Sequence, residues 1–265
     1  LNAFKVLGGS FAMARYIAKE TGKDVSELPY SVLTSEQLRK EFGQATFFTT
    51  TDGNHGHGVA WAVNRLGQKA VVHMPKGTTQ TRLQNIAKEG SQVDIQELNY
   101  DDCVRLAAKE ADETPRGVIV QDTAWDGYEE IPAWIMQGYS TMAMEAGEQL
   151  KAQGCERPTH IFVQAGVGSL AGAVVGYFSN LYADNLPTFV VVEAEAAACL
   201  YKGAAAGESG AAPFGALAAM MTMDEYKDLR NDIGLDENSK VLLFSTEGDT
   251  DPDRYKNIVW KGLDK

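Results

Sequence analysis

The stretch "ATFFTTTDGNHGHGVAWAVNRLGQKAVVHMP", residues 45–75, reads as strand, helix and strand in turn. "ATFFTT" is an apolar run rich in the aromatic and β-branched residues that strands favour. "GVAWAVNRLG" carries small and apolar residues at helical spacing and closes on a glycine, and "KAVVHMP" is a second β-rich run closed by proline. Two strands joined through a helix lie parallel in one sheet. Between the first strand and the helix stand Asp52, Asn54, His55 and His57 among glycines. A plain connector needs a glycine or two for positive φ. It needs no carboxylate, amide and pair of imidazoles, so this strand end is expected to bind something.

The same alternation runs through the chain. "FKVLGGSFAMARYIAKE" has helical spacing, "TTQTRLQNIAKEG" is a helix with threonines available as caps, "SQVDIQEL" a strand and "YDDCVRLAAKEADE" a helix. "GVIVQD" is a strand, followed by a long helix closed by Gly154. "THIFVQAGVGSLAGAVVGYFSNLY" is strand, glycine-rich turn and helix, and "PTFVVVEAE" and "SKVLLFSTEG" are further strands. The fold class is therefore α/β: mostly parallel twisted sheets with helices on both faces. In such sheets ligands sit at the carboxyl ends of strands. The turns "TTDGNHG", "QDTAWDGY", "QAGVGSLAG" and "STEGD" all follow strands and are expected to converge on one crevice. Residues 200–217, "LYKGAAAGESGAAPFGAL", show little periodicity and are expected to be a loop, or a join where a segment is absent.

The chain has 265 residues, room for two modest domains or one large α/β unit. A net charge of −12 argues against nucleic acid or an anionic membrane surface as partner. The three cysteines, Cys103, Cys155 and Cys199, are scattered and read as reduced thiols of a cytoplasmic protein. No metal-ligand spacing of His, Cys or Asp is present, so no catalytic metal is expected.

"QAGVGSLAG", residues 164–172, follows a strand and opens a helix. Small residues let the backbone approach a phosphate, and free N–H groups at a helix start bind it. The run also satisfies G-x-G-x-x-A, with Glu193 at the end of the next strand as a ribose ligand, so a dinucleotide and another phosphorylated cofactor both remain open. The dinucleotide reading fits poorly, because that fingerprint normally opens the first βαβ unit and here several precede it. Lys5, in "NAFKVLGG", stands between apolar residues at a helix start. In an apolar pocket a lysine can lose its proton and form a Schiff base with an aldehyde cofactor. His55 is expected to brace its loop by hydrogen bonding and His57 to be peripheral, while Trp125, Tyr128, Trp134 and Tyr139 read as core or pocket wall.

An early lysine, a Gly-Asn-His loop and a late glycine loop, in that order, resemble the fold type II (tryptophan synthase β-like) enzymes of pyridoxal 5′-phosphate, and among them the diaminopropionate ammonia-lyases. The matching segments are "FKVLGGSFA", "TTTDGNHGHGVAWA", "MPKGTTQTR", "NYDDCVRLA", "VQDTAWDGYEEIPAWIMQGYSTM", "QAGVGSLAG" and "STEGDTDPDRY", spread over nearly the whole chain. Asp52 is the specific feature, since dehydratases and sulfhydrylases of this fold usually show Ser or Thr there. The resemblance implies two lobes, the smaller roughly at 40–140, with the cofactor crevice between them. It implies Lys5 as the Schiff-base lysine and Asn54 as partner of the cofactor's phenolic oxygen. Gly166, Val167, Gly168, Ser169 and Leu170 would form the phosphate loop, and Ser245 or Thr246 would lie near the pyridine nitrogen. Asp52 and Asp122 correspond to the two catalytic aspartates of the lyases. The implied reaction is α,β-elimination of 2,3-diaminopropionate to pyruvate and ammonia. Lys5 would serve the L isomer and Asp52 the D isomer, with Asp122 favouring the β-ammonium; alternatively, Asp52 only caps the following helix.

Family members carry a segment before the lysine motif and a long one before "GESGA", so N-terminal and internal segments are expected to be missing from this sequence. The family also suggests a homodimer acting on a small amino acid. A serine or threonine dehydratase, and a non-catalytic or dinucleotide-binding protein, remain as alternatives.

Overall fold

The computed structural model of the chain describes residues 1–193 and 208–248. Two compact units divide it: Leu1 with Ala3–Gly138, and Asn2 with the residues from Tyr139 onward.

The first unit holds a four-stranded sheet in the order β3-β2-β1-β4, every pairing parallel. Its strands are β1 (Thr46–Thr50), β2 (Lys69–Met74), β3 (Gln92–Ile95) and β4 (Gly117–Ile119). Its helices are α1 (Lys5–Thr21), the short α2 (Tyr30–Leu33) and α3 (Glu36–Phe42), α4 (Asn54–Leu66), α5 (Gln80–Ala87) and α6 (Tyr100–Glu113). Side chains alternate across a strand, and the core follows that rule. Val72 and Met74 pack with Ala60 of α4 and Ile86 of α5. Val71, which precedes Val72 and so points to the other face, packs with Phe48 of β1 on Ala107 and Ala111 of α6. Helices therefore cover both faces, as the β-rich runs require.

The second unit is built on a parallel sheet in the order β6-β5-β7, from β5 (His160–Gln164), β6 (Thr188–Val192) and β7 (Val241–Leu243). The boundary between the units falls inside the long helix α7 (Glu130–Ala152), and α8 (Ser169–Leu181), α9 (Glu208–Thr222) and α10 (Lys227–Asp232) follow. Ile161, Phe162 and Val163 of β5 are fully buried, as are Val174 and Phe178 of α8.

Two expectations need correction. The polar residues from Asn54 to His57 form the first turn of α4, so the helix opens four residues before the expected "GVAWAVNRLG". In the stretch 200–217, residues 200–207 lie outside the described ones, but the rest is helix α9, running to Thr222. Alanine supplies the helix propensity there. Apolar residues all round remove the periodic contrast that marks an amphipathic helix. Among the described residues no helix is long and apolar enough to cross a membrane.

His73 of β2 is buried, with Nδ1 2.8 Å from Asp94 of β3 and Nε2 3.0 Å from Glu110 of α6. Two carboxylates can only accept, so both ring nitrogens donate and the ring is the imidazolium. Burial opposes that charge, but the hydrogen bonds and charges of Asp94 and Glu110 outweigh it and raise the pKa above 6.5. A raised folded-state value gives stability that is complete below pH 6.5 and lost as the pH climbs through the folded value. Chemical denaturation from pH 6 to 9 is therefore expected to show wild type losing stability relative to His73→Gln; parallel curves would refute this.

Candidate active site

Lys5 is the first residue of α1, and two glycines let other helices close on that turn. A Cβ at Gly58 of α4 would stand 2.8 Å from both N and Cα of Val6. One at Gly138 of α7 would press on the Leu7 carbonyl and on Gly8 and Phe11. Any side chain at either position would push the Lys5 turn aside, so these glycines set where the lysine stands. Gly56 does the same for the base of α4, against Thr51 and Val72.

The Lys5 ammonium donates to Asp122 Oδ2 at 2.5 Å, across 117 residues of sequence. The Lys5 side chain is 23% exposed and that of Asp122 only 3%. Burial works against ionisation of Asp122, but the charges of His55 and Lys5 and the Lys5 hydrogen bond overcome it and hold the carboxyl down to about 2. Asp122 follows β4, and its neighbour Gln121 locks that end of the strand. The Gln121 carboxamide oxygen accepts from Thr50 N (3.0 Å) and Thr49 Oγ1 (3.1 Å), and its nitrogen donates to Tyr100 OH (2.8 Å). Tyr128 OH accepts from Gln121 N at 2.7 Å, and its ring stacks on Trp125 with centroids 4.1 Å apart. Both phenols are pushed upward, by burial first and also by the Asp122 charge, so they remain neutral donors and acceptors.

The α4 turn brings His55 to this pair. His55 is buried and its Nε2 is 2.9 Å from the Val120 carbonyl, so that nitrogen carries a proton. Its Nδ1 faces Asp122 Oδ2 at 3.8 Å. His57 is partly exposed and lies 3.4 Å from Glu89. Asn54 is half-buried. Asp52 does not cap α4: Gly53 is the N-cap residue and no side chain caps it. The Asp52 side chain is 77% exposed and 3.8 Å from Arg82, which also donates to the Asp52 carbonyl at 2.9 Å. A Thr51 hydroxyl accepting from Gly53 N at 2.9 Å completes the turn.

In the second unit, Gln164 ends β5, Gly168 at φ 91° caps α8, and Ser169 and Leu170 open the helix buried. No side chain caps the helix, and a Cβ built at Gly166 or Gly168 would meet nothing within 4 Å. This is an open cradle at a helix N-terminus, of the kind that takes a phosphate. Val167 is exposed. Thr246, after β7, is buried and its hydroxyl accepts from Gln164 Nε2 at 2.7 Å, whereas Ser245 is exposed. Of the two hydroxyls read from the sequence, Thr246 is the one that is held.

The chain matches the model of the family described as "Pyridoxal-phosphate dependent enzyme" over residues 2–237. It is 41% identical over 329 residues to the diaminopropionate ammonia-lyase of Salmonella typhimurium, covering 99% of this chain and 81% of that protein. The chain belongs to the diaminopropionate ammonia-lyase family of pyridoxal-phosphate enzymes. The Escherichia coli diaminopropionate ammonia lyase in apo form superposes with a TM-score of 0.87 at 39% identity, over 98% of this chain and 79% of that one. The same enzyme in complex with D-serine gives 0.88 at 36%, over 98% and 80%. The aligned length of 329 exceeds the 265 residues of this chain, so the Salmonella relative carries residues inside the matched span that have no counterpart here. Family membership sets aside the dinucleotide reading of the glycine turn, and Glu193, its ribose ligand, is exposed beyond β6.

The residues present fit a pyridoxal phosphate. Among the described residues, the first unit leaves buried polar atoms without a hydrogen-bond partner at Thr50 Oγ1 (end of β1), Thr123 Oγ1 (past β4) and His55 Nδ1 (first turn of α4), and the second unit leaves Gln164 Oε1 at the end of β5. An unpaired buried polar atom costs about 1–3 kcal/mol, so several at strand ends mark a place built for a polar ligand. Sequence reading missed Gln121, Tyr100 and Arg82. Gln121 was within reach of it, since a glutamine before "DTAW" at a strand end is a buried amide with four bonds to place.

Proposed function

We propose that this chain catalyses the α,β-elimination of 2,3-diaminopropionate, in both enantiomers, to pyruvate and ammonia. The observation that carries it is the buried Lys5–Asp122 pair in a diaminopropionate ammonia-lyase relative. Lys5 would hold the cofactor's aldehyde carbon, Asn54 its phenolic oxygen, and residues Gly166 to Leu170 its phosphate. Thr246, steadied by Gln164, is the better of the two hydroxyls for the pyridine nitrogen. When bound, the cofactor supplies an electron sink for the amino acid's Cα.

The chain's own groups supply the proton transfers. The Lys5 amine takes the Cα proton of the L isomer and the Asp52 carboxylate that of the D isomer. The β-amino group leaves only as an ammonium, and the Asp122 carboxylate stabilises that charge and assists its departure. The balance is one water consumed and two ammonia released per pyruvate. Adding pyridoxal phosphate should give a yellow protein that makes pyruvate from diaminopropionate at least about a hundredfold more efficiently than from serine. Equal or better turnover of serine would favour a dehydratase, a reading that the D-serine complex of the Escherichia coli relative makes worth testing. The free thiols of Cys103 and Cys155 fit a cytoplasmic enzyme, Cys199 lies outside the described residues, and we take the active form to be a homodimer.

The phosphate assignment has its own test. Gly168→Asp places a carboxylate in the cradle at a positive φ. Like charges about 4 Å apart repel by about 4 kcal/mol at an effective dielectric near 20. Cofactor affinity, measured by fluorescence or absorbance titration, should fall by more than about a hundredfold. Unchanged affinity would move the phosphate elsewhere.

A further inference from the structure

We propose that Arg82 is a positioning residue that aims the Asp52 carboxylate and so sets how well the enzyme handles the D isomer. The inference rests on Asp52 being the base for that isomer, and it adds a residue that the elimination scheme does not include.

Asp52 stands in the turn after β1 with a side chain that is 77% exposed. A carboxylate so open to water has no packing to fix its direction, yet taking one proton from one face of Cα demands a fixed direction. Among the described residues, the ionic partner of that side chain is the Arg82 guanidinium. It grips Asp52 twice through one nitrogen: Nη1 donates to the Asp52 carbonyl at 2.9 Å and lies 3.8 Å from the carboxylate Oδ2. The first contact is a hydrogen bond and holds the Asp52 backbone. The second exceeds hydrogen-bond length, so it restrains the carboxylate by charge and leaves it able to swing onto a proton. An exposed ion pair of this kind adds little stability. Its use is direction.

Arg82 is itself well anchored. It is the third residue of α5, its amide faces the Thr79 hydroxyl at the N-cap, and its side chain is only 17% exposed. Its stem runs against Gly53, where a Cβ would stand 3.0 Å from Cδ and 3.4 Å from Nε. The glycine beside Asp52 thus leaves room for the arginine to reach it. A guanidinium presents several donors in a rigid fork, which suits one group to hold a carbonyl and a carboxylate together; a lysine ammonium is a single point on a flexible stem. Arg82 makes a further contact as well. A variant therefore removes more than the grip on Asp52, and the experiment has to separate the two effects.

The ratio of kcat for D- and L-diaminopropionate in the cofactor-loaded protein does so, because a general disturbance moves both isomers alike. Arg82→Met keeps an unbranched stem against Gly53 and removes the guanidinium. Since a misplacement of about 1 Å can cost about a hundredfold, the D-to-L ratio should fall by about tenfold or more. Arg82→Lys restores a cation and should recover part of that loss, which also serves if the methionine variant folds poorly. In an Asp52→Asn background, Arg82→Met should leave the ratio where Asp52→Asn alone put it, because a residue that acts through Asp52 then has nothing to aim. The grip is also read without cofactor or substrate. Exchange of the Gly53 amide, which donates to the Thr51 hydroxyl within the same turn, should quicken by about tenfold in Arg82→Met as the turn loosens. An unchanged ratio, unchanged exchange, or a full further loss in the double variant overturns the inference. If Asp52→Asn alone leaves the ratio unchanged, the reading of Asp52 as a base is what fails.

Discussion

Lys5→Ala is expected to abolish the borohydride-trapped adduct with pyridoxal phosphate and to cut pyruvate formation by at least about a thousandfold. Lys5 stands at the start of α1, clamped where Gly58 and Gly138 admit close backbone approach, with its nitrogen on the buried Asp122. The proposed role needs an amine that is both nucleophile and proton carrier, which a methyl group is not. The substitution also removes one partner of a mostly buried ion pair, which costs up to about 3–5 kcal/mol when both partners are buried. Lys5 is 23% exposed, so the cost should be lower, and circular dichroism should still show a folded chain. Lys5→Arg separates the two roles: it keeps a cation for Asp122 but cannot form the covalent bond. It should recover most of the stability and none of the adduct. If an adduct persists on another lysine in Lys5→Ala, the assignment is wrong.

The sheets were legible because their strands read as near-continuous β-rich runs between glycines and polar turns, the central β1 and β5 being buried along nearly their whole length. The helices with one apolar face were equally readable, α6 residue for residue from "YDDCVRLAAKEADE". Helix α9 was not, because its alanine-rich surface offers no polar face to set a period. The short α2, α3 and α10 gave too few turns for a period to register. At the site, the residue types were visible but their pairings were not. Lys5 and Asp122 are 117 residues apart, and no local pattern links them. The family order of motifs brought both into consideration. The 2.5 Å contact, the locking of β4 by Gln121 and the choice of Thr246 over Ser245 required the parallel register that carries those strand ends side by side.

Asp52 gives the sharpest separation of function from structure. A base on one face of a planar adduct cannot reach the Cα proton of the opposite enantiomer, so a lyase acting on both isomers needs a second base. Lys5 is the proposed first base, and Asp52, two residues before Asn54 at the carboxyl end of β1, is the candidate for the other. Its structural duties are few. Gly53, not Asp52, stands at the N-cap of α4, and the turn is held by the Thr51 hydroxyl and by Arg82 on the Asp52 carbonyl. The carboxylate itself is 77% exposed and only 3.8 Å from Arg82. Exchanging it for an amide therefore leaves the backbone contacts intact and should change stability by no more than about 0.5 kcal/mol. Catalysis should respond differently for the two substrates. Removing a proton-transfer group costs about 10²–10⁴ in rate, so Asp52→Asn should lower turnover of D-diaminopropionate by that factor and leave the L isomer within about tenfold. The ratio of the two rates, measured on one preparation by pyruvate release, cancels errors in concentration and cofactor loading. A ratio unchanged from wild type would remove Asp52 from the chemistry and leave both isomers to a single base.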